Sequence, residues 1–237
     1  MSPISQSGVR GKRLIIAIDG PAASGKSTTA RLVAERLGYL HLDTGAMYRA
    51  ITLKVLRSGL SLTDNEGIAN LALGTHIELR TRNSSLRVFM DGEDVSEQIR
   101  TVDVTNAVSA VSSIREVRQA MVREQQRIGE EGSVVLEGRD IGTQVFPGAD
   151  LKIFMVAGIE TRARRRQVEL RAMGIEKQLD HLMDEIKERD RLDSTRGESP
   201  LRRAPDAVEI DTSNLRIDEQ VEFVVKKAKE ILKQLPV

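Results

Sequence analysis

The chain of 237 residues contains no cysteine, which excludes disulfides, thiolate nucleophiles and zinc-thiolate sites. It has no tryptophan, two tyrosines and four phenylalanines, too few to form stacking platforms along a single-stranded nucleic acid. An excess of one charge is missing too: 36 Lys and Arg stand against 35 Asp and Glu, a formal net charge of +1. Neither nucleic acid nor a membrane surface is therefore expected as a partner. No apolar run approaches the roughly 18 residues that a membrane span needs. The opening "MSPISQSGVRGKR" lacks the apolar core of a signal peptide, so a loose N-terminus and a cytoplasmic location are expected. What is present is apolar material, 40% of the residues, with 30% charged residues to cover it. That balance suits a globular fold, and the length suits one large α/β domain carrying an insertion or two.

The hydrophobic pattern alternates between two periods. Leu14 to Ile18 is a continuous apolar run, as in a strand buried on both faces of a parallel sheet. Lys26 to Leu37 then has helical spacing, with Gly38 as its stop. Tyr39 to Leu42 reads as a second strand, followed by a helix from about Gly45 to Arg57 that Gly59 ends. Thr75 to Thr81 and Leu86 to Asp91 read as two short strands around the polar turn "RNSS", an antiparallel insertion. Helical periodicity returns from Thr101 to Gly129. Ser133 to Leu136 and Leu151 to Val156 are further core strands joined by the loop "EGRDIGTQVFPGAD". Charged helices over Glu160–Met173 and Leu179–Leu192, a mobile polar loop "DSTRGESPLRRAPDA", a last strand Val208–Ile210 and an amphipathic helix Asp218–Leu235 complete the chain. Strand–helix alternation of this kind predicts a parallel α/β sheet.

Between the first strand and the first helix lies Gly20-Pro21-Ala22-Ala23-Ser24-Gly25-Lys26-Ser27, followed by Thr28. It fits the phosphate-loop pattern G-x-x-x-x-G-K-[ST] in its required context. Glycines let the backbone approach phosphates, and the loop N–H groups and the helix N-terminus face their oxygens. Lys26 is expected to reach the β- and γ-phosphates of ATP and the Ser27 hydroxyl to bind Mg²⁺. An "NKxD"-type guanine reader is absent, which argues against a switch GTPase. An oligomeric ATPase would need an acidic residue ending an apolar strand, which Glu137 of "SVVLEG" could supply. Arg49, Arg118, Arg139, Arg189 and Arg196 lie in separate polar, glycine-rich stretches. Guanidinium groups of this kind gather the oxygens of two phosphorylated substrates, although in a chain this charged many arginines only face solvent.

"IDGPAASGKST", "LDTGAMYRA", "VVLEGRDIGTQVFP", "KIF" and "EIKERDRLDSTR" together resemble the bacterial cytidylate kinases, from about Leu14 to the C-terminus. The resemblance implies transfer of the ATP γ-phosphoryl group to CMP or dCMP with Mg²⁺. It implies a P-loop NTPase core over 13–72 and 130–237, with a lid at about 160–200, and a monophosphate-binding insertion with its connecting helices over 73–129. A monomer is implied as well. For cytosine, Asp140 and Thr44 would accept from the N4 amino group, and Arg118 would donate to N3 and O2. Ser109, Arg189 and Asp193 would hold the sugar, although Arg189 and Asp193, four apart on one helix face, also suit a plain surface ion pair. Arg49, Arg139 and Arg196, with Tyr48 nearby, would hold the acceptor phosphate. Lys26, Arg139, Arg189 and Arg196 would carry the transfer. One or two of Arg162 to Arg166 would flank ATP. His41, His76 and His181 lack metal-ligand spacing and read as structural or surface residues, and Met47 and Met121 as core. Two alternatives stay open: a P-loop kinase for another small acceptor, and a nucleotide-dependent regulatory protein without transfer activity.

Overall fold

The computed structural model describes residues 13–82 and 85–234. The centre of the "RNSS" turn, most of the N-terminal stretch that was expected to be loose, and Leu235 lie outside the described residues. The chain enters on β1 (Ile15–Asp19), passes the glycine loop into α1 (Lys26–Leu37), returns on β2 (Leu40–Asp43) and enters α2 (Thr44–Ser58). Next come α3 (Asn65–Leu73) and an antiparallel trio, β3 (Ile77–Arg82), β4 (Ser85–Met90) and β5 (Glu93–Asp94). A 3-10 turn (Gln98–Arg100) leads to α4 (Val102–Ser113), α5 (Arg115–Gly129) and β6 (Val134–Gly138). A wide π-type turn (Ile141–Val145) precedes β7 (Leu151–Val156), the helix pair α6 (Ile159–Ala172) and α7 (Leu179–Thr195), β8 (Val208–Asp211) and α8 (Ile217–Gln234).

The main sheet is parallel, in the order β2-β6-β1-β7-β8. Strand alternation divides its side chains between two cores. Ile16, Ile18 and Val135 pack with Ala30 and Val33 of α1 and Val224 and Ala228 of α8. Ala17, Leu42, Val134 and Leu136 pack with Met47 and Ile51 of α2 and Val117 and Met121 of α5. The same alternation decides where the polar strand ends go. Glu137 continues the Val135 face toward α1, whereas Asp19 continues the Ala17 face. Asp19, Gly138, Glu137 and Asp43 come into register at the carboxyl ends of adjacent strands, the edge of an open α/β sheet where ligands bind.

Three features depart from the sequence expectation. α3 is a helix where none was predicted; Asp64 caps it by accepting from Gly67 N (2.9 Å), and Ile68, Ala69 and Ala72 are buried. The helical periodicity over Thr101–Gly129 resolves into two helices that part at Ile114, whose backbone is extended. Arg118 Nη1 donates to the Ser112 carbonyl (3.1 Å), and the Ser113 hydroxyl to that of Ala110 (2.7 Å), so both carbonyls gain partners where α4 ends. Finally, α7 runs on through Thr195, which takes Asp193 out of the predicted loop and into the last helical turn.

Candidate active site

The phosphate loop is held from outside. Arg162 Nη1 donates to the Ala22 carbonyl (3.3 Å), Arg165 Nη1 to that of Ser24 (3.1 Å), and the Thr212 hydroxyl to the same Ser24 carbonyl (2.8 Å). With these carbonyls drawn toward α6 and β8, the loop N–H groups remain for an anion. Ala23 sits at φ 58, a left-handed conformation that costs an L-residue about 1 kcal/mol. A Cβ on Gly20 would stand 2.3 Å from the Met155 carbonyl oxygen, backbone that cannot yield. Gly20→Ala is therefore expected to lower stability by about 3 kcal/mol, read from the urea midpoint; an unchanged midpoint would disprove the close approach.

Lys26, the first residue of α1, is buried, and its Nζ donates to the Pro21 carbonyl (3.0 Å). Burial, then the nearby Arg139, push its ammonium down to about 7. Ser27 follows on the exposed side of α1. Its hydroxyl donates to Glu137 Oε2, and His41 Nε2 meets Glu137 Oε1 at 3.1 Å. Of the two roles expected for it, His41 takes the structural one, held against Glu137.

Toward the other substrate the side chains form one continuous network. Asp193 is buried on α7 between two arginines, with Arg139 Nε at 2.8 Å and Arg196 Nη1 at 3.7 Å. Burial opposes its charge, yet Arg139 and Arg189 hold the carboxyl below its ordinary value. The surface-pair alternative for Arg189 and Asp193 is thereby removed. Arg189 is itself pushed down to about 10, by burial and then by Arg139, and Arg49 is lowered by burial with Arg100 and Arg139 adding to it. Arg118 Nη2 donates to Asp140 Oδ2 within the protein, and its guanidinium lies 5.2 Å from the centre of the Tyr48 ring. The Thr44 hydroxyl spends its proton on the Glu137 carbonyl (2.7 Å), so its remaining lone pairs can only accept.

Sequence reasoning did not single out Asp19. Both its oxygens accept backbone N–H groups of the π-type turn after Asp140, from Ile141 and Gly142 at 2.8 Å each. The available signal was an acidic residue ending a wholly apolar strand. Burial raises this carboxyl to about 6 from 3.8, against the pull of the Gly142 and Ile141 N–H groups. Between those values the folded chain keeps a proton that the unfolded chain has lost. Asp19 therefore makes the fold less stable as pH rises from about 4 to 6, while the turn is bonded best above 6. The kcat/KM ratio of wild type to Asp19→Asn is expected to be about tenfold at pH 7.5 and to approach one by pH 5, where substrate ionisation cancels. A ratio that stays constant with pH would show that the charge does not hold the turn.

Of the basic run on α6, Arg162 and Arg165 reach the phosphate loop, and Arg162 also pairs with Asp190 at 2.7 Å. Arg164 and Arg166 pair locally with Glu160 and Glu169. Thr28 is exposed on α1 and Ser109 half-buried on α4; among the described residues neither joins the network above.

A phosphate loop at the end of a central parallel strand, opposite a set of half-buried arginines around the buried Arg118, defines a P-loop phosphotransferase with an anionic acceptor. The chain belongs to the cytidylate kinase family, whose family model matches residues 16–230. The cytidylate kinase of Bacillus subtilis (strain 168) is 49% identical over 219 residues, covering 92% of this chain and 98% of that protein. That of Bacillus pumilus is 49% identical over 223 residues, covering 94% and 99%. A crystal structure of an uncharacterized protein from Eubacterium ventriosum shares the fold, with a TM-score of 0.50 and 10% identity over 92% of this chain and 99% of that one. Among the described residues no helix is long and apolar enough to cross a membrane.

Proposed function

We propose that this site moves the γ-phosphoryl group of ATP onto CMP and dCMP through the residues assembled above. The observation that carries the assignment is the buried Arg118–Asp140 pair beside Thr44, adjoining Arg49, Arg139, Arg189 and Arg196. Cytosine offers an amino donor at N4 beside acceptors at N3 and O2. Asp140 and the acceptor-only oxygen of Thr44 suit the first, and the Arg118 guanidinium suits the other two. Asp193, Arg189 and Ser109 take the sugar, and Arg49, Arg139 and Arg196, with Tyr48, take the acceptor phosphate. Residues 73–129 serve as the monophosphate-binding unit and residues about 160–200 as the lid, on a core of 13–72 and 130–237.

An acceptor phosphate oxygen forms its bond to the γ-phosphorus as the bond to the β–γ bridging oxygen breaks, and ADP departs with that electron pair. The nucleophile is already anionic, so no general base is required. Lys26 and the loop N–H groups hold the donor phosphates in line. Arg139, Arg189 and Arg196 face the charge that spreads over the transferring group. Arg196, at the end of α7, lies on the segment whose closure would exclude water. The donor set fits Mg²⁺: Ser27 and Glu137 supply hard oxygens at the start of α1. When bound, Mg²⁺ would neutralise charge on the β- and γ-phosphates. The enzyme acts as a monomer in the cytoplasm in this reading.

The test is ADP release with Mg·ATP and a panel of CMP, dCMP, UMP, AMP and GMP. Strong turnover with CMP and dCMP and weak turnover with UMP is expected. Equal rates with UMP would remove the base-reading assignment, and silence across the panel with ATP bound would remove the transfer itself.

A further inference from the structure

We propose that His41 is a positioning residue for the Mg²⁺ pole of the site, acting through Glu137; the inference rests on the assignment of Ser27 and Glu137 to that pole. β2 is an edge strand, and Asp43 stands in register with Glu137 on the neighbouring β6. His41, two residues before Asp43, shares its face, so the imidazole reaches the Glu137 carboxylate from the rim of the sheet. The Glu137 side chain is only 3% exposed and that of His41 14%. Each carboxylate oxygen has its own partner: Oε1 meets His41 Nε2 and Oε2 accepts the Ser27 proton.

The two partners are not equivalent. A hydroxyl that turns to a metal ion presents its lone pairs there, so Ser27 serves two masters. Among the described residues the His41 ring bonds to Glu137 alone. A carboxylate oxygen can only accept, so Nε2 is the nitrogen that donates. A buried carboxylate without a partner is costly and free to rotate. The imidazole therefore fixes the plane in which Oε2 is offered beside Ser27. Partners of this kind, one bond removed from a metal, commonly account for 10–100-fold of its affinity.

The test uses the full chain with a non-hydrolysable ATP analogue. His41→Phe keeps a ring of similar size and removes both nitrogens, and His41→Gln keeps an N–H donor. Mn²⁺ affinity of the enzyme–nucleotide complex is read by electron paramagnetic resonance, and metal-free nucleotide affinity by calorimetry. His41→Phe is expected to weaken Mn²⁺ binding about 10–100-fold and metal-free nucleotide binding less than about twofold, with His41→Gln recovering most of the loss. The Mg²⁺ concentration for half-maximal turnover is expected to rise by more than kcat falls. Unchanged Mn²⁺ affinity in folded His41→Phe, or equal loss of metal-free nucleotide binding, would overturn the proposal. Ser27→Ala and Glu137→Gln serve as controls. If both also bind Mn²⁺ normally, the pole itself is misassigned and the proposal falls with it; if they fail while His41→Phe does not, only the role of His41 falls.

Discussion

Lys26→Ala is expected to lower kcat for CMP phosphorylation at least about 10³-fold, a loss of about 4 kcal/mol of transition-state stabilisation, without lowering the melting temperature. The two halves of this expectation have one cause. Among the described residues Nζ donates to the Pro21 carbonyl alone, and it is buried near Arg139 and Arg189. Its ammonium is held down to about 7 by burial and by that neighbouring positive charge. Below its ordinary value the charged form is therefore a burden on the free protein, and the fold gains stability as pH rises from about 7 toward 10. Alanine lifts that burden and removes almost no packing. Phosphates reverse the sign, since the same burial strengthens the attraction between Lys26 and an anion. Turnover and thermal melting of the purified variant decide the matter. Near-normal kcat would end the role of Lys26, and a large fall in melting temperature would make it a structural residue.

Asp140→Asn is expected to narrow the preference for CMP over UMP by about tenfold to a hundredfold in kcat/KM. In the proposed assignment uracil would set a carbonyl at position 4 against the Asp140 carboxylate and an N–H at position 3 against Arg118, so both contacts would repel. An asparagine can turn its NH₂ to that carbonyl and keep its oxygen for Arg118. The corresponding alanine variant leaves the buried Arg118 charge uncompensated, which costs about 3–5 kcal/mol and risks the fold itself. For this reason the amide is the cleaner reagent. A CMP-to-UMP ratio unchanged in Asp140→Asn, with the protein folded, would mean that the base is read elsewhere.

Features written in neighbouring residues were legible in the sequence. The apolar run of β1, the glycine loop and the periodicity of α1 need no distant partner, and helices α1 and α2 end at Gly38 and Gly59 as expected. α3 was missed because Asn65, Gly67 and Asn70 are weak helix formers, while its helix rests on an Asp64 cap and tertiary burial. The break at Ile114 was invisible because apolar spacing continues across it; the Ser112 carbonyl left free there is taken up by Arg118, on the next helix. Partnerships in the site were hidden for the same reason. Arg139 and Asp193 were assigned separate tasks, on phosphate and sugar, yet they form an ion pair across 54 residues of chain. His41 lies outside the quoted motifs and Asp19, though inside one, was given no task there; only the packing of β2 and of the π-type turn against β1 and β6 discloses what they hold.

The alternation along β6 also bears on how this gene can drift. Glu137 points to the α1 face and meets Ser27 and His41, while its own carbonyl takes the Thr44 hydroxyl and Asp140, three residues on, meets Arg118. One codon gained or lost between Val134 and Asp140 would invert the parity of the strand end, sending the carboxylate to the wrong side of the sheet. No single compensating substitution restores it. This segment can change its letters but not its length, and insertions and deletions are left to exposed connections such as the stretch between α2 and α3.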